Sequence, residues 1–531
     1  MKAFFSKYPL FPFLFGINAL LSFYSSYIFD ASLKELFLLV LLVLGFIALI
    51  FGGSYLLLKN KEKSAVFTFL FSAVFFSFQN LVTMLWKFAL QQNNLGMVRY
   101  WMTNQGQFIV FVFVAALIVL FFILIKKQKS IQPLLITGLN CITIALLLVT
   151  FFQIGKIVLP GYKTRQEFKR SWDQTVAQGT AQISLNQSHT TPDVYYIILD
   201  GFARSDVLQD LYHFDNTDFI NDLKERGFYV AEESYTNYSQ TRTSLASSLN
   251  MMYLDEVPKI DPDKTGKNFF SLYYMMKNNR VKNLFSTFGY STVSFKSEYG
   301  FSDLSNSDIY IKNKVIPNEF TQTFLSSTAA SIVINPLLYS WHRKSVNNVF
   351  DTLPQLAMKQ GSQFTFAHIS CPHPPFVFNA DGSPKSVDRI FLPADQDGFL
   401  LVGTRDEYLE GYVDQINYIQ QKTIEMVDQI LDHSTEPFIL ILQADHGPGS
   451  QSYAMNLEGV NLEERMSILN AYYFYDQNYQ DLYPTITPVN TFRLVLDQYF
   501  DQSLPLLENH HFYSTFTSPL ELINVDDRLQ K

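Results

Sequence analysis

Five apolar runs follow one another through residues 1–155, near Leu10–Phe29, Glu35–Leu58, Ala65–Leu90, Phe108–Ile125 and Pro133–Phe152, with only short polar connections between them. A helix needs about 20 apolar residues to cross a bilayer, because each residue advances it by only about 1.5 Å. In hydrocarbon only a helix or a closed barrel satisfies every backbone group. The runs therefore predict an all-α transmembrane bundle of five spans. The first run lacks a small-residue cleavage site and is followed by further spans, which excludes a cleaved signal peptide.

Basic residues orient the bundle. Lys2 and Lys7 precede the first run, Lys59, Lys61 and Lys63 separate the second from the third, and Lys126, Lys127 and Lys129 separate the fourth from the fifth. The alternate connections carry only Lys34, beside Asp30 and Glu35, and Arg99. The positive-inside rule places the N-terminus in the cytoplasm, and an odd number of spans then delivers the rest of the chain to the far side of the cytoplasmic (inner) membrane, periplasmic or extracellular. Lys87, at the end of the third run, is the main ionisable residue of the bundle and can snorkel to the interface. No charged relay crosses the membrane, so the bundle reads as an anchor.

Beyond residue 155 the composition changes. Residues 156–192 read as a linker, helical in part over Lys163–Val176 and a loop at Asn186–Thr191, leading to an extracytoplasmic domain over residues 193–531. Strand-like runs (Val194–Leu199, Tyr290–Phe295, Phe364–Ile369, Phe438–Leu442, Ile468–Phe474) alternate there with helical patterns (Asp218–Arg226, Phe269–Phe288, Glu407–Leu431). Short continuous apolar strands alternating with helices predict an α/β domain whose mostly parallel sheet is sandwiched by helices. A net charge of -8 without a basic stripe excludes nucleic acid as a partner. The two cysteines, Cys141 in the fifth run and Cys371 in the outer domain, supply no disulfide to read.

In open α/β sheets, ligands gather at the carboxyl ends of the strands. Asp200 closes one strand here, and the pair Asp445-His446 closes another. Between them lies a polar loop that opens a helix, with Leu245 and Leu249 on one face and Thr241 one turn before Leu245. The N-terminus of a helix offers unpaired N–H groups and partial positive charge, which suits a phosphate or sulfate group. Asp200, Thr241, Asp445 and His446 together offer three oxygens and an imidazole nitrogen, a donor set for one divalent ion, Zn2+ or Mn2+. Such an ion would lower the pKa of the Thr241 hydroxyl and make it a nucleophile. Sequence alone leaves Ser239, Thr243 and Ser244 as rivals to Thr241, because the loop register is open by a few residues.

Three motifs carry a resemblance: Leu199-Asp200-Gly201 after the first strand, Ser-Gln-Thr-Arg-Thr-Ser over residues 239–244, and Asp445-His446-Gly447. They resemble the alkaline phosphatase superfamily, and within it the sulfatase-like branch that holds the lipoteichoic acid synthases and phosphoethanolamine transferases. The resemblance implies that Asp200, Thr241, Asp445 and His446 bind the metal and that Thr241 forms a covalent phospho-enzyme. His368-Ile-Ser-Cys-Pro-His-Pro-Pro-Phe376 resembles the family's His-x-Pro-Phe element. By that analogy His373 contacts the phosphoryl oxygens or protonates a leaving alkoxide. His368 is either a substrate contact or a hydrogen-bonded buried histidine, and Arg242 either pairs with an anion or is solvated. His510 and His511 match no ligand motif, so one metal is expected.

The resemblance implies a membrane-anchored hydrolase or transferase acting on phosphodiesters, with membrane lipids and a lipid or glycan phosphodiester as partners. The chain lacks the Cys/Ser-x-Pro-x-Arg segment of true sulfatases. Asp200-Gly201 stands where lipoteichoic acid synthases usually have Glu-Ser. Pro448 follows the Asp-His-Gly motif where phosphoethanolamine transferases commonly carry an acid. Two alternatives stay open: a sulfatase or phosphatase of soluble esters, and a catalytically inactive membrane-bound binding or assembly factor.

Overall fold

Helices that are apolar all round need an apolar surrounding, and the N-terminal helices here present Leu41, Leu49, Phe113 and Leu148 at their exposed outer faces. The computed structural model describes residues 7–28, 31–92, 94–159, 161–181, 191–255, 257, 269–312, 317–391, 403–451 and 457–529. The chain divides into two units: Met1–Tyr162 with Pro317–Leu338 and Asp388–Phe391, and Lys163–Ile316 with Tyr339–Val387 and Leu392–Lys531.

In the first unit, three helices are long and apolar enough to cross a membrane: Leu33–Leu58, Asn104–Lys127 and the one beginning at Pro133. A fourth crossing results if Lys61–Phe76 and Phe78–Gln91, bent by 45°, count as one span. Among the described residues, five full spans are therefore not shown. The first run forms the helix Phe11–Tyr24 of only 14 residues, short of the roughly 20 that a crossing needs. The third run breaks at Ser77 because a distant segment supplies the backbone partners a straight helix would have used. Gln79 N–H donates to Ser327 O (3.3 Å), and Ala329 N–H donates to Phe75 O (3.0 Å). A bend at an interrupted hydrogen-bond ladder follows directly.

The second unit is built on a seven-stranded sheet in the order β2-β7-β6-β1-β5-β3-β4. Its strands are β1 (Asp193–Leu199), β2 (Tyr229–Val230), β3 (Ser291–Phe295), β4 (Ile309–Ile311), β5 (Gln363–Ile369), β6 (Phe438–Gln443) and β7 (Asn470–Phe474). β1 pairs in parallel with both β5 and β6, and β3 in parallel with β5 and β4. β7 and β2 run antiparallel at one edge, so the sheet is mixed. Val194, Tyr196 and Ile198 join Leu245, Phe285 and Phe492 in one core. Tyr195, Ile197 and Leu199 point to the opposite face and are equally buried. Burial on both faces is why these strands read as continuous apolar runs.

Other expectations shift in detail. The helix expected over Phe269–Phe288 is two, Phe270–Lys277 and Arg280–Thr287. The second starts afresh because the Asn279 side chain accepts from Lys282 N–H as an N-cap. The expected linker contains the helix Tyr162–Ala181, whose Phe168, Trp172 and Val176 belong to the core of the second unit. Trp172 Nε1 donates to Asn278 O at 3.0 Å. The loop expected at Asn186–Thr191 lies, up to residue 190, outside the described residues. The helices Ser331–Leu356 and Pro488–Phe500 and the hairpin β8 (Phe512–Thr515) and β9 (Ser518–Asn524) were not legible in the sequence.

Candidate active site

A strand that ends at a sheet edge must turn, and β1 does so through Gly201 at φ +75, a conformation that favours glycine. The turn leaves Asp200, 2% exposed, at the carboxyl end of β1. β5 and β6, on either side, lead into the loops that carry His373 and Asp445-His446. Parallel pairing therefore brings residues from three distant stretches to one edge, and β5 itself contributes His368 opposite Ile198.

Thr241 opens the helix Thr241–Ser248, and its Oγ1 lies 3.1 Å from His446 Nε2. Nδ1 of His446 is 2.8 Å from Gly447 O, so it carries the proton and donates to that carbonyl. The lone pair of Nε2 therefore faces Thr241. His373 is fixed in the same way, with Nδ1 2.7 Å from Pro374 O. The rival hydroxyls are engaged elsewhere. Ser239 Oγ bonds Ser514 N–H and O (both 3.2 Å), Thr243 Oγ1 donates to Gln240 O (3.0 Å), and Ser244 Oγ meets Thr236 Oγ1 (3.2 Å).

Asp200 and Asp445 stand 3.6 and 3.5 Å from His446 Nε2, and His368 Nε2 lies 3.2 Å from Asp200 Oδ2. Two triads of metal-type donors share Asp200: one with His373 and His446, the other with His368 and Asp445, their ligating atoms within 4.8 Å of one another. Asp445 Oδ1 accepts from Gly201 N–H at 3.2 Å. Asp200 Oδ1 and Asp445 Oδ2 are buried without a hydrogen-bond partner, which is costly for a carboxylate unless a cation completes it. Ligands held by one tetrahedral ion at about 2.0–2.2 Å lie about 3.3–3.6 Å apart, close to the spacings around His446 Nε2. The residues present fit a divalent ion.

Electrostatics agree. Burial alone would raise the Asp200 carboxyl, but the surrounding imidazoles of His373, His368 and His446 outweigh it and hold the group well below the usual carboxylate range. Burial works against a charged His368, yet the Asp200 carboxylate raises that ring above its ordinary value. Burial, reinforced by the charge of Arg465, lowers His446 and favours the neutral ligand form.

Neighbouring elements lock these loops in place. Gln415 Nε2 donates to Pro372 O (3.1 Å) and His373 O (3.0 Å), while its Oε1 accepts from Val377 N–H (2.8 Å). Tyr412 OH bridges Gly201 O (2.8 Å) and Ala203 N–H (3.0 Å). Gly447 has no space for a side chain, since a Cβ there would sit 2.0 Å from Glu464 O.

The remaining sequence candidates make other contacts. Arg242 is buried, its guanidinium 4.4 Å from the ring centroids of both Phe269 and Phe516 and 5.4 Å from Tyr299. His510 Nδ1 contacts Asp526 (2.8 Å) and His511 Nδ1 contacts Thr236 O (2.9 Å), so neither joins the cluster. Sequence reasoning missed Ser302, whose Oγ lies 2.7 Å from His368 Nδ1, and Arg465, which no motif spacing marks.

The Sulfatase family model matches residues 192–516. No curated protein matches the chain. Among solved structures, the chain is similar to the C-terminal periplasmic domain of EcEptC from Escherichia coli (12% identity, 65% of this chain and 95% of that chain, TM-score 0.44). It is also similar to the integral membrane lipooligosaccharide phosphoethanolamine transferase A (EptA) from Neisseria meningitidis (11% identity, 91% and 95%, TM-score 0.37). A third is a protein of the alkaline phosphatase superfamily from Vibrio parahaemolyticus (13% identity, 67% and 82%, TM-score 0.38). With more than half of its length matched by that family model, the chain belongs to the Sulfatase family.

Proposed function

We propose that this protein is a membrane-anchored, metal-dependent phosphodiester transferase or hydrolase that works through Thr241, its catalytic unit on the extracytoplasmic side of the cytoplasmic membrane. The observation that carries the reading is the Thr241 hydroxyl at the first position of a helix, 3.1 Å from His446 Nε2, beside two buried carboxylate oxygens that lack hydrogen-bond partners.

Asp200, Thr241, Asp445 and His446 would hold one divalent ion, Zn2+ or Mn2+, and His373 faces the substrate beside them. Such an ion, when bound, lowers the hydroxyl pKa of Thr241 and draws charge from the nonbridging oxygens of the phosphoryl group. Thr241 Oγ1 loses its proton to solvent and bonds to phosphorus as the bond to the leaving alkoxide breaks, while His373 gives its Nε2 proton to that alkoxide. In the second half, an acceptor hydroxyl or water gives a proton to His373 and attacks phosphorus, the bond to Thr241 Oγ1 breaks, and Thr241 regains a proton from solvent. The apolar helices of the first unit keep the site near lipid, which raises the effective concentration of a phospholipid donor.

The test is turnover. Full-length protein in detergent, with Zn2+ or Mn2+ and mixed bacterial phospholipids, is expected to release or transfer a headgroup, while Thr241→Ala does not. Hydrolysis of small soluble esters without any lipid turnover would replace the substrate reading, and inactivity on both would replace the enzyme reading.

A further inference from the structure

Two loops must keep one register for Thr241 to face His446, and one arginine side chain touches both. Arg465, 6% exposed, lies on the short helix Leu462–Met466. Its Nε donates to Ser239 O at 2.8 Å, two residues before Thr241. One terminal NH donates to Gly447 O at 3.1 Å, the carbonyl that also receives His446 Nδ1–H. The contact is returned along the backbone, since Gly447 N–H donates to Arg465 O at 2.8 Å.

The platform that carries Arg465 is itself anchored. The carboxylate of Glu464 accepts from Tyr212 OH (2.6 Å), Ser450 N–H (2.9 Å) and Gln451 N–H (3.0 Å). Asn461 caps the helix by accepting from Glu464 N–H at 3.1 Å. On its other side the nucleophile loop rests on β8, where Ser239 N–H donates to Phe512 O at 3.2 Å. Only a planar, forked cation reaches two carbonyls in fixed directions; an ammonium is a point charge on a flexible stem. Arg465 joins the backbone before the nucleophile to the backbone after the metal-type histidine.

We infer that Arg465 is a positioning residue that clamps the Thr241 loop to the Asp445-His446-Gly447 loop and so sets both metal affinity and attack geometry. The inference rests on the functional reading above. It is tested with full-length protein in detergent by comparing wild type with Arg465→Lys and Arg465→Gln. Folding is checked by circular dichroism, Zn2+ binding by calorimetry, and turnover with bis(4-nitrophenyl) phosphate.

The expected result is folded variants whose Zn2+ affinity is weaker by about 10–100-fold, the range for residues that orient metal ligands. kcat falls while KM changes little, Lys retains more than Gln, and added guanidinium ion restores part of the Arg465→Gln loss. A folded Arg465→Lys with wild-type Zn2+ affinity and kcat would overturn the assignment alone. A loss confined to melting temperature would do the same. A wild-type protein that neither binds Zn2+ nor turns over any phosphodiester overturns the functional reading and the assignment with it.

Discussion

The hydroxyl of Thr241 lies 3.1 Å from Nε2 of His446, across a sequence separation of 205 residues. The imidazole is held by its other nitrogen, which donates to Gly447 O. The contact thus has a defined direction, from a hydroxyl proton toward a lone pair, and it distinguishes Thr241 from every neighbouring hydroxyl.

Thr241→Ala is accordingly expected to lower phosphodiester turnover by at least about 10^3-fold, as removal of a nucleophile does. Thr243→Ala and Ser239→Ala are expected to keep most of it, because those hydroxyls bond backbone atoms or Ser514. Steady-state rates of the three variants check this.

Metal removal should be visible without substrate. Asp200 and Asp445 each bury a carboxylate oxygen that has no hydrogen-bond partner, so an ion that binds the folded state raises stability by about 2.7 kcal/mol at a hundred times its Kd. Differential scanning fluorimetry should show a melting temperature that falls with chelator and recovers with Zn2+ or Mn2+. In Asp445→Ala that recovery should be absent.

Gly447→Ala places a methyl group 2.0 Å from Glu464 O. Forced overpacking of this kind costs about 1–3 kcal/mol. Because the displaced loop carries His446, activity should fall further than the change in melting temperature alone explains.

The membrane unit offers a separate test. Asn140 Oδ1 accepts from Leu10 N–H (2.9 Å) and Phe11 N–H (2.8 Å), and its Nδ2 donates to Tyr8 O (2.9 Å), capping the first helix from another one. Asn140→Leu removes the acceptor of Phe11 N–H, while Leu10 N–H keeps Tyr8 O (3.1 Å), at about 1–3 kcal/mol. Thermal unfolding in detergent should register the loss, with turnover per folded molecule unchanged.

Asp526 gives a pH test. Burial raises its carboxyl, but hydrogen bonds from Asn524, His510 and the His511 backbone outweigh it, so the folded pKa is depressed. A depressed acid contributes stability that is present above its unfolded value, about 3.9, and is lost as pH falls through the folded one. Wild type minus Asp526→Asn should therefore show a stability difference at pH 7 that shrinks below about pH 4. Chemical denaturation across that range measures it.

The catalytic sheet was legible because strands buried on both faces are continuous apolar runs, and the acids that close them stand out. The nucleophile register was not. Ser239, Thr241, Thr243 and Ser244 are equivalent in sequence, and only their respective partners, β8, His446, Gln240 O and Thr236, separate them. The break at Ser77 was hidden for a similar reason, since its cause is the backbone of residues 327–329. The helix Ser331–Leu356 carries Pro336 and Pro354, which read as breaks in sequence. Arg465 has no signal at all in the sequence, because its role consists of two carbonyls brought to it by tertiary structure.

The most direct measurement of the central claim is a trapped adduct. Full-length protein loaded with Zn2+ would be quenched in acid during turnover of phospholipid, digested, and its peptides read by mass spectrometry. The expected result is a phosphoryl-bearing adduct on Thr241 that is absent in His373→Ala after a single brief incubation, or much reduced there. Turnover of lipid with an unmodified Thr241 peptide, or an adduct on Ser239, Thr243 or Ser244 instead, would contradict it.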